Sequence, residues 1–393
     1  MKYSELNKEL EHKFRGNDFA FVTSALQQSN RDEIVDNKFY DVVSEEAVAY
    51  VSQERFCLPL EYDVPFPPPL QVDFTFIDLF AGIGGFRIPL QWENGRCVFS
   101  SEFNAHAQSV YHANYGEYPF GDITKIPLEF IPEHDVLAAG FPCQPFSISG
   151  KMKGFEDTRG TLIYNVFKIV EAKRPKVILL ENVKHLLYHD QGRTLKTILE
   201  GITNIGYKYS YKVLNASDFG VPQNRERIII VANERKTFDF DKLQKKEKTT
   251  IRDIVDKDTS KYEYLKEPYT ILDCFTVQPS GLIFAGYRNK KIRKAGVRPG
   301  TKNLSRVHKQ PNRIYSIDGV HPALPSQESS GRFFVYDGQK VRKLTINECY
   351  RLQGFPEEFI KDTNLGEEYR QIGNSVCIPM IHEIVKQIKS QLL

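Results

Sequence analysis

From residue 74 onward the chain repeats one unit: a short apolar run, a turn, then an amphipathic stretch. FTFIDLF (74–80) stops in a glycine turn and is followed by FRIPLQWENG. RCVFSSE (96–102) leads into the helical pattern NAHAQSVYHANYG, and HDVLAAGF (134–141) is a third apolar run. Residues 161–172 read as a helix, PKVILLENV (175–183) as a strand and GRTLKTILEGITNIGY (192–207) as a helix. Residues 209–215 and 228–233 complete the series as strands. Strands that are apolar on both faces and alternate with helices specify an α/β fold with a doubly wound, mostly parallel sheet.

The alternation sets the boundaries. Residues 1–73 form an acidic N-terminal extension with polar helical patterns at 3–14 and 44–53. They end in a linker, DVPFPPPLQVD, whose prolines 65, 67, 68 and 69 fix φ and remove donors. The alternating α/β domain spans 74–240. Between 241 and 341 the pattern breaks into short strands, basic loops and Gly/Pro turns, a smaller and loop-rich domain. Residues 342–393 return to helical periodicity, with Thr345 and Glu348 spaced as a capping box and a closing amphipathic helix over 379–392. Of the three roles open to the extension (packing on the α/β domain, contacting a partner, capping the sheet), packing is the one we expect.

A composition of 41% hydrophobic and 26% charged residues excludes a largely disordered chain. No apolar run approaches the roughly 18–20 residues that span a bilayer. The N-terminal MKYSELNKELEHKF lacks the apolar core of a secretory signal. The six cysteines (57, 97, 143, 274, 349 and 377) include no C-x-x-C pair, which argues against a disulfide framework or a structural zinc site and for a cytoplasmic protein.

A net charge of +3 conceals an asymmetry. Residues 1–73 carry 7 Lys and Arg against 14 Asp and Glu, whereas 281–313 carry 10 Lys and Arg and no acid. A run of one sign suggests a polyanionic partner. Interleaved Phe284, Tyr287, Val297 and Leu304 favour a folded surface over a basic linker. Arg288, Lys290, Lys291, Arg293, Lys294, Arg298 and Arg306 are the candidate phosphate contacts.

At the end of the first strand stands FAGIGGF (80–86), where glycines let a ligand approach the backbone. A pyrophosphate-binding fingerprint would need glycine at 87, and Arg87 is there. The next strand ends in Glu102, placed to accept from ribose hydroxyls, and Asp122 follows at a distance suited to an adenine amine. Turn, acid and acid in that order suit an adenosine without phosphate, such as S-adenosylmethionine. The third strand ends in GFPCQPF (140–146), which puts Cys143 either in the ligand crevice as a nucleophile or in the core as an inert thiol. Glu181 closes another strand, and Arg225 and Arg227 precede IIIVA; taken singly, each is as consistent with surface ion pairing as with a pocket.

Taken together these segments resemble the C5-cytosine-specific DNA methyltransferases of bacterial restriction–modification systems. FAGIGGF (80–86), GFPCQPFS (140–147), ENV (181–183), QNRERI (223–228), RLQGFP (351–356) and QIGNSV (371–376) follow that family's motifs in order. The resemblance covers about 74–240 and 342–393 and implies the Rossmann-like sheet of S-adenosylmethionine-dependent methyltransferases. It implies S-adenosyl-L-methionine as cofactor, S-adenosyl-L-homocysteine as product and no metal. The basic stretch lies where the family places its target-recognition domain.

By the same resemblance Cys143 adds to C6 of a cytosine flipped out of duplex DNA, Glu181 holds N3 and the exocyclic amine, Arg227 donates to O2 and Arg225 supports the pocket. Phe80 stacks on adenine, and Ile83, Gly84, Gly85, Ile123, Leu162, Asn374, Ser375 and Val376 complete the cofactor site with Glu102 and Asp122. Ser149, in the polar segment 144–160, fills the gap left by the base. The family's Thr-aliphatic pair in the recognition loop is replaced here by Ala323-Leu324, so no target sequence is carried over. The partners implied are double-stranded DNA and a cognate restriction endonuclease, for a monomer that is nucleoid-associated when bound. Two alternatives stay open: a tRNA cytosine methyltransferase, suggested by Cys274-Phe275-Thr276, and a non-catalytic DNA-binding regulator.

Overall fold

The structure is a computed structural model, and it describes residues 1–27, 42–52, 60–142, 162–290, 300–326 and 334–393. Three helices open the chain: α1 (Tyr3–Lys13), α2 (Gly16–Gln27) and α3 (Glu45–Val51). The repeating region supplies β1 (Phe74–Leu79), α4 (Arg87–Trp92), β2 (Gly95–Ser101), α5 (Ala105–Tyr115), β3 (Val136–Ala139), α6 (Leu162–Lys173), β4 (Val177–Val183), α7 (Arg193–Asn204) and β5 (Lys208–Asn215). The two-residue β6 (Gln223–Asn224) and β7 (Glu226–Asn233) follow. β1, β2, β3, β4, β5 and β7 form one sheet in the order β2-β1-β3-β4-β7-β5. β2, β1, β3 and β4 run parallel, and β7 is antiparallel to both its neighbours.

The period-two pleat explains why these strands read as apolar runs. Ile77, Leu79, Leu137, Ile178, Leu180, Ile228 and Ile230 pack on one face with residues of α6 and α7. Phe76, Val136, Ala138, Val177, Leu179, Ile229 and Val231 pack on the other, beneath α4 and the closing helix α10 (Ile378–Leu392). The first face also takes Tyr3, Leu6 and Leu10 of α1, Ala47 and Val48 of α3, and the apolar residues Phe19–Val22, Ala25 and Leu26 of α2. The extension therefore packs on the sheet. Helix α2 is a correction to the sequence reading, which saw little but polar patterns there. Every residue from Phe19 to Gln27 is buried, so α2 has no polar stripe to betray it.

The loop-rich region builds a second sheet from β8 (Tyr269–Val277), β9 (Ile283–Arg288), β10 (Arg313–Ser316), β12 (Phe334–Tyr336) and β13 (Val341–Lys343), in the order β13-β12-β10-β9-β8. Its short β11 (His321–Pro322) pairs with β6 in a separate two-stranded sheet, which ties this region to the segment leading into β7. Helices α8 (Ile346–Gln353) and α9 (Leu365–Asn374) then carry the chain back. The Thr345–Glu348 capping box is present in both directions. Among the described residues no helix is long and apolar enough to cross a membrane.

Candidate active site

The carboxyl ends of β1, β2, β3 and β4 open into one cavity of about 870 Å³, closed on its far side by the end of α9 and the loop after β11. Phe80 leaves β1 with φ at +56°, a left-handed conformation that is unusual for an aromatic residue and turns the chain into the glycine loop. Phe80, Gly82, Ile83 and Gly85 line the cavity. Gly84 stands behind this wall: its φ is +82°, and a Cβ there would come within 2.3 Å of the Tyr115 ring. Tyr115 donates its hydroxyl to the carbonyls of Gly84 at 2.9 Å and Ile83 at 3.2 Å, which fixes the loop from beneath.

Glu102 leaves β2 buried against that loop. Its Oε2 accepts from the Gly82 N–H and its Oε1 from the Asn104 N–H, both at 2.8 Å. Burial raises the carboxyl pKa above its ordinary value, while the backbone donors Asn104, Gly82 and Phe103 pull the other way. Asp122 also lines the cavity and accepts from the backbone and hydroxyl of Thr124 through Oδ1. Ile123 and Leu162 line it too. Two residues that motif reading passed over complete this side: Asn104, the N-cap of α5, and Phe103, 79% exposed at the rim. An exposed aromatic beside a buried acid was the signal available for Phe103.

On the same cavity wall, Glu181 and Arg227 form an ion pair, Nε to Oε1 at 2.9 Å, with side chains only 10% and 13% exposed. The register explains the pairing. Glu181 lies opposite Ile229 and Val183 opposite Arg227, so the two side chains are diagonal neighbours on one face. Asn182 projects from the other face and donates to the Phe141 carbonyl at 2.9 Å, holding the turn that leaves β3. That turn reaches the cavity at Pro142. Cys143 is the next residue in sequence; it and Ser149 lie outside the described residues.

Arg225 is fully buried, and its guanidinium donates to the carbonyls of Leu324 (3.1 Å), Gly373 (3.0 Å) and Ser375 (2.6 Å). It clamps the loop after β11 and the end of α9 onto the catalytic sheet. Burial, and after it the nearby Arg227, lower its pKa to about 9. The clamp brings Asn374, Ser375 and Val376 to the cavity, with Ser375 and Val376 packed so closely on Gly85 that no Cβ fits there. Glu367 and Arg370 of α9 line the same cavity and were not singled out by the sequence, and Gln371, which opens the QIGNSV motif, lines it without having been assigned a role.

Comparison with known proteins decides the class. The family model for C-5 cytosine-specific DNA methylases matches residues 74–390. The Type II methyltransferase M.NlaX of Neisseria lactamica is 42% identical over 325 residues, covering 81% of this chain and 97% of the relative. The Type II methyltransferase M.HhaI of Haemophilus parahaemolyticus is 40% identical over 328 residues, covering 81% and 94%. This chain belongs to the C5-cytosine-specific DNA methylase family. It is a DNA cytosine-5-methyltransferase. The crystal structure of S. pombe Dnmt2 methyltransferase shares its fold, with a TM-score of 0.58 at 19% identity over 81% of this chain and all of that one.

The methyltransferase's basic segment is only partly available for phosphate. Arg288 donates to Glu267 and lies over the Phe334 ring, and Lys290 pairs with the same Glu267 at 2.9 Å. Both are thus partly neutralised within the second sheet. Arg306 is exposed on a short turn before β10. Lys291, Arg293, Lys294 and Arg298 lie outside the described residues. Cys274 and Phe275 fall where β8 and β9 slip register, between Ile271 and Thr276, and both are exposed.

Proposed function

We propose that this enzyme transfers a methyl group from S-adenosylmethionine to C5 of a cytosine flipped out of a specific duplex DNA sequence, through a covalent bond between Cys143 and C6. The observation that carries this reading is a single cavity lined both by the Glu181–Arg227 pair and by Phe80, Glu102 and Asp122. The residues present fit an adenosine-bearing cation. Two acids and two aromatic rings line one side, and Glu367 Oε2 and Gln371 Oε1 are buried acceptors with no hydrogen-bond partner in the structure.

Bound S-adenosylmethionine supplies an electrophilic methyl group. Cytosine C5 is a weak nucleophile, and the Cys143 thiolate corrects this by adding to C6, which breaks the ring's aromaticity and pushes an electron pair toward C5. Glu181 delivers a proton to N3 and accepts from the exocyclic amine, which stabilises the adduct, and Arg227 fixes its carboxyl group. Arg227 offers its remaining N–H groups to O2. After transfer the C5 proton leaves to a base or water, the C5–C6 double bond re-forms and Cys143 departs as thiolate. Asn182 orients the Phe141 turn, and Arg225 acts as a positioning residue through Ser375 and Gly373.

The target atom is inaccessible in a stacked duplex, so the reaction requires base extrusion. The products are 5-methylcytosine in DNA and S-adenosyl-L-homocysteine. Family habit assigns this monomeric, cytoplasmic enzyme to a restriction–modification system, where it protects host DNA from a cognate endonuclease. Incubation with methyl-labelled S-adenosylmethionine and either duplex DNA or tRNA tests the reading: label enters the DNA. Label in tRNA alone would overturn the substrate assignment, and label in neither would leave only a DNA-binding role.

A further inference from the structure

The family match begins at residue 74, yet the N-terminal extension is wired into the cofactor side of the cavity. Three polar side chains of α2, the half-buried Asn17 and the buried Thr23 and Gln27, reach across to the segment 115–121, which delivers Asp122. Asn17 Oδ1 accepts from the Gly121 N–H at 3.2 Å. Thr23 Oγ1 accepts from the Tyr118 N–H at 3.0 Å, and Gln27 donates to the Tyr115 carbonyl at 2.7 Å. From its other side Gly121 is held by Ser101, whose hydroxyl donates to its carbonyl at 2.7 Å. The residue immediately before Asp122 is thus clamped between β2 and α2.

The wiring extends to the glycine loop. Gln27 Oε1 accepts from Arg87 at 2.7 Å, and Arg87 forms a fully buried ion pair with Glu117 at 2.9 Å. Tyr115, whose carbonyl Gln27 holds, is the residue that anchors Ile83 and Gly84. Helix α2 therefore bears on both legs of the cavity wall, the Asp122 leg and the Ile83–Gly85 leg. It does so with hydrogen-bonding side chains rather than by apolar contact alone.

We propose that α2 is an integral part of the cofactor site and that Asn17 is a positioning residue, acting through Gly121 on Asp122 to set affinity for the adenosine end of S-adenosylmethionine. This rests on the functional reading above. Because Asn17 touches neither the Glu181–Arg227 pair nor the recognition sheet, its effect falls on cofactor binding and not on the chemical step.

The test uses the full chain and S-adenosyl-L-homocysteine as calorimetric probe, beside steady-state kinetics. Asn17→Ala is expected to weaken binding, and to raise the KM for S-adenosylmethionine, by about 3- to 10-fold, the size of one hydrogen bond. The kcat and DNA affinity stay within about 2-fold of wild type, with folding checked by thermal unfolding. Asn17→Asp keeps the acceptor and retains most of the affinity. Equal affinity in wild type and Asn17→Ala, equal losses in the Ala and Asp variants, or a fall in kcat at unchanged KM would each overturn the proposal. Thr23→Val, which removes the acceptor for Tyr118, is a second probe expected to move KM in the same direction. A wild-type protein that binds no S-adenosyl-L-homocysteine would instead defeat the functional reading itself.

Discussion

Glu181 and Arg227 are mostly buried, and their 2.9 Å pairing fixes a carboxylate that would otherwise have several rotamers. Its worth lies in direction: one oxygen is committed to Arg227, and in the proposed reaction the other meets the cytosine. Glu181→Gln preserves shape and removes charge, and we expect methyl transfer to fall by about 100-fold or more with cofactor affinity nearly unchanged. Single-turnover transfer beside calorimetry checks this; a loss confined to cofactor binding would contradict it. Gly84 gives a complementary prediction about stability. A Cβ there meets Tyr115 at 2.3 Å and sits at φ +82°, so Gly84→Ala should destabilise the fold by about 1–3 kcal/mol, measured by urea unfolding. At this scale the motifs drew attention to Glu181 and Arg227. They could not show that Gly84 answers to Tyr115, because that contact joins a loop to a helix end far along the chain. Nor could they show that Arg225 spends its donors on carbonyls of the C-terminal return.

Elements with a regular period were legible in the sequence. The strands of the catalytic sheet, α6, α7 and the Thr345 capping box fall within a few residues of where periodicity and capping chemistry put them. Helix α2 was not legible, since Phe19–Gln27 is buried all round and a helix without a polar face shows no 3.6-residue alternation. Two buried histidines, one of them packed on Phe19 of α2, give a pH prediction. Burial lowers the pKa of His112, under α1 and α2, and of His134, before β3, from the ordinary 6.5 to about 4. The unfolded chain then binds protons that the folded chain refuses. The stability these neutral rings allow is complete above pH 6.5 and is lost as pH falls toward 4, by about 1.4 kcal/mol per pH unit for each. Glu368 works against them. Burial raises it to about 7, so the folded state is the better proton binder between the ordinary carboxyl range and neutrality. In a Glu368→Gln background the fall in stability from pH 6.5 to 5 should therefore steepen relative to wild type, as read by chemical unfolding at each pH. An unchanged slope would contradict these assignments.

At the scale of the molecule, the catalytic sheet and the loop-rich region are linked through a separate two-stranded sheet, β6 with β11, and through Arg225, with the cavity between the catalytic sheet and the returning helices. Charge arithmetic found the basic stretch but not its internal partners, because Glu267, which takes up Arg288 and Lys290, lies outside the stretch in sequence. Neutralising Lys291, Arg293 and Lys294 together should therefore flatten the dependence of duplex affinity on salt by up to about 3 in log–log slope, and adding Lys290 should change it less than a free lysine would. A slope unaltered by the triple substitution would remove this segment from the DNA interface.

We propose that a cysteine nucleophile, a fixed carboxylate and a guanidinium act on one cytosine beside a bound methyl donor. This is tested most directly by incubating the enzyme with S-adenosylmethionine and unmethylated genomic DNA, digesting to nucleosides and identifying the methylated base by mass spectrometry. Wild type is expected to yield 5-methyldeoxycytidine, and Cys143→Ala none above background. Methylation at N4 of cytosine or N6 of adenine, or undiminished 5-methyldeoxycytidine from Cys143→Ala, would contradict it.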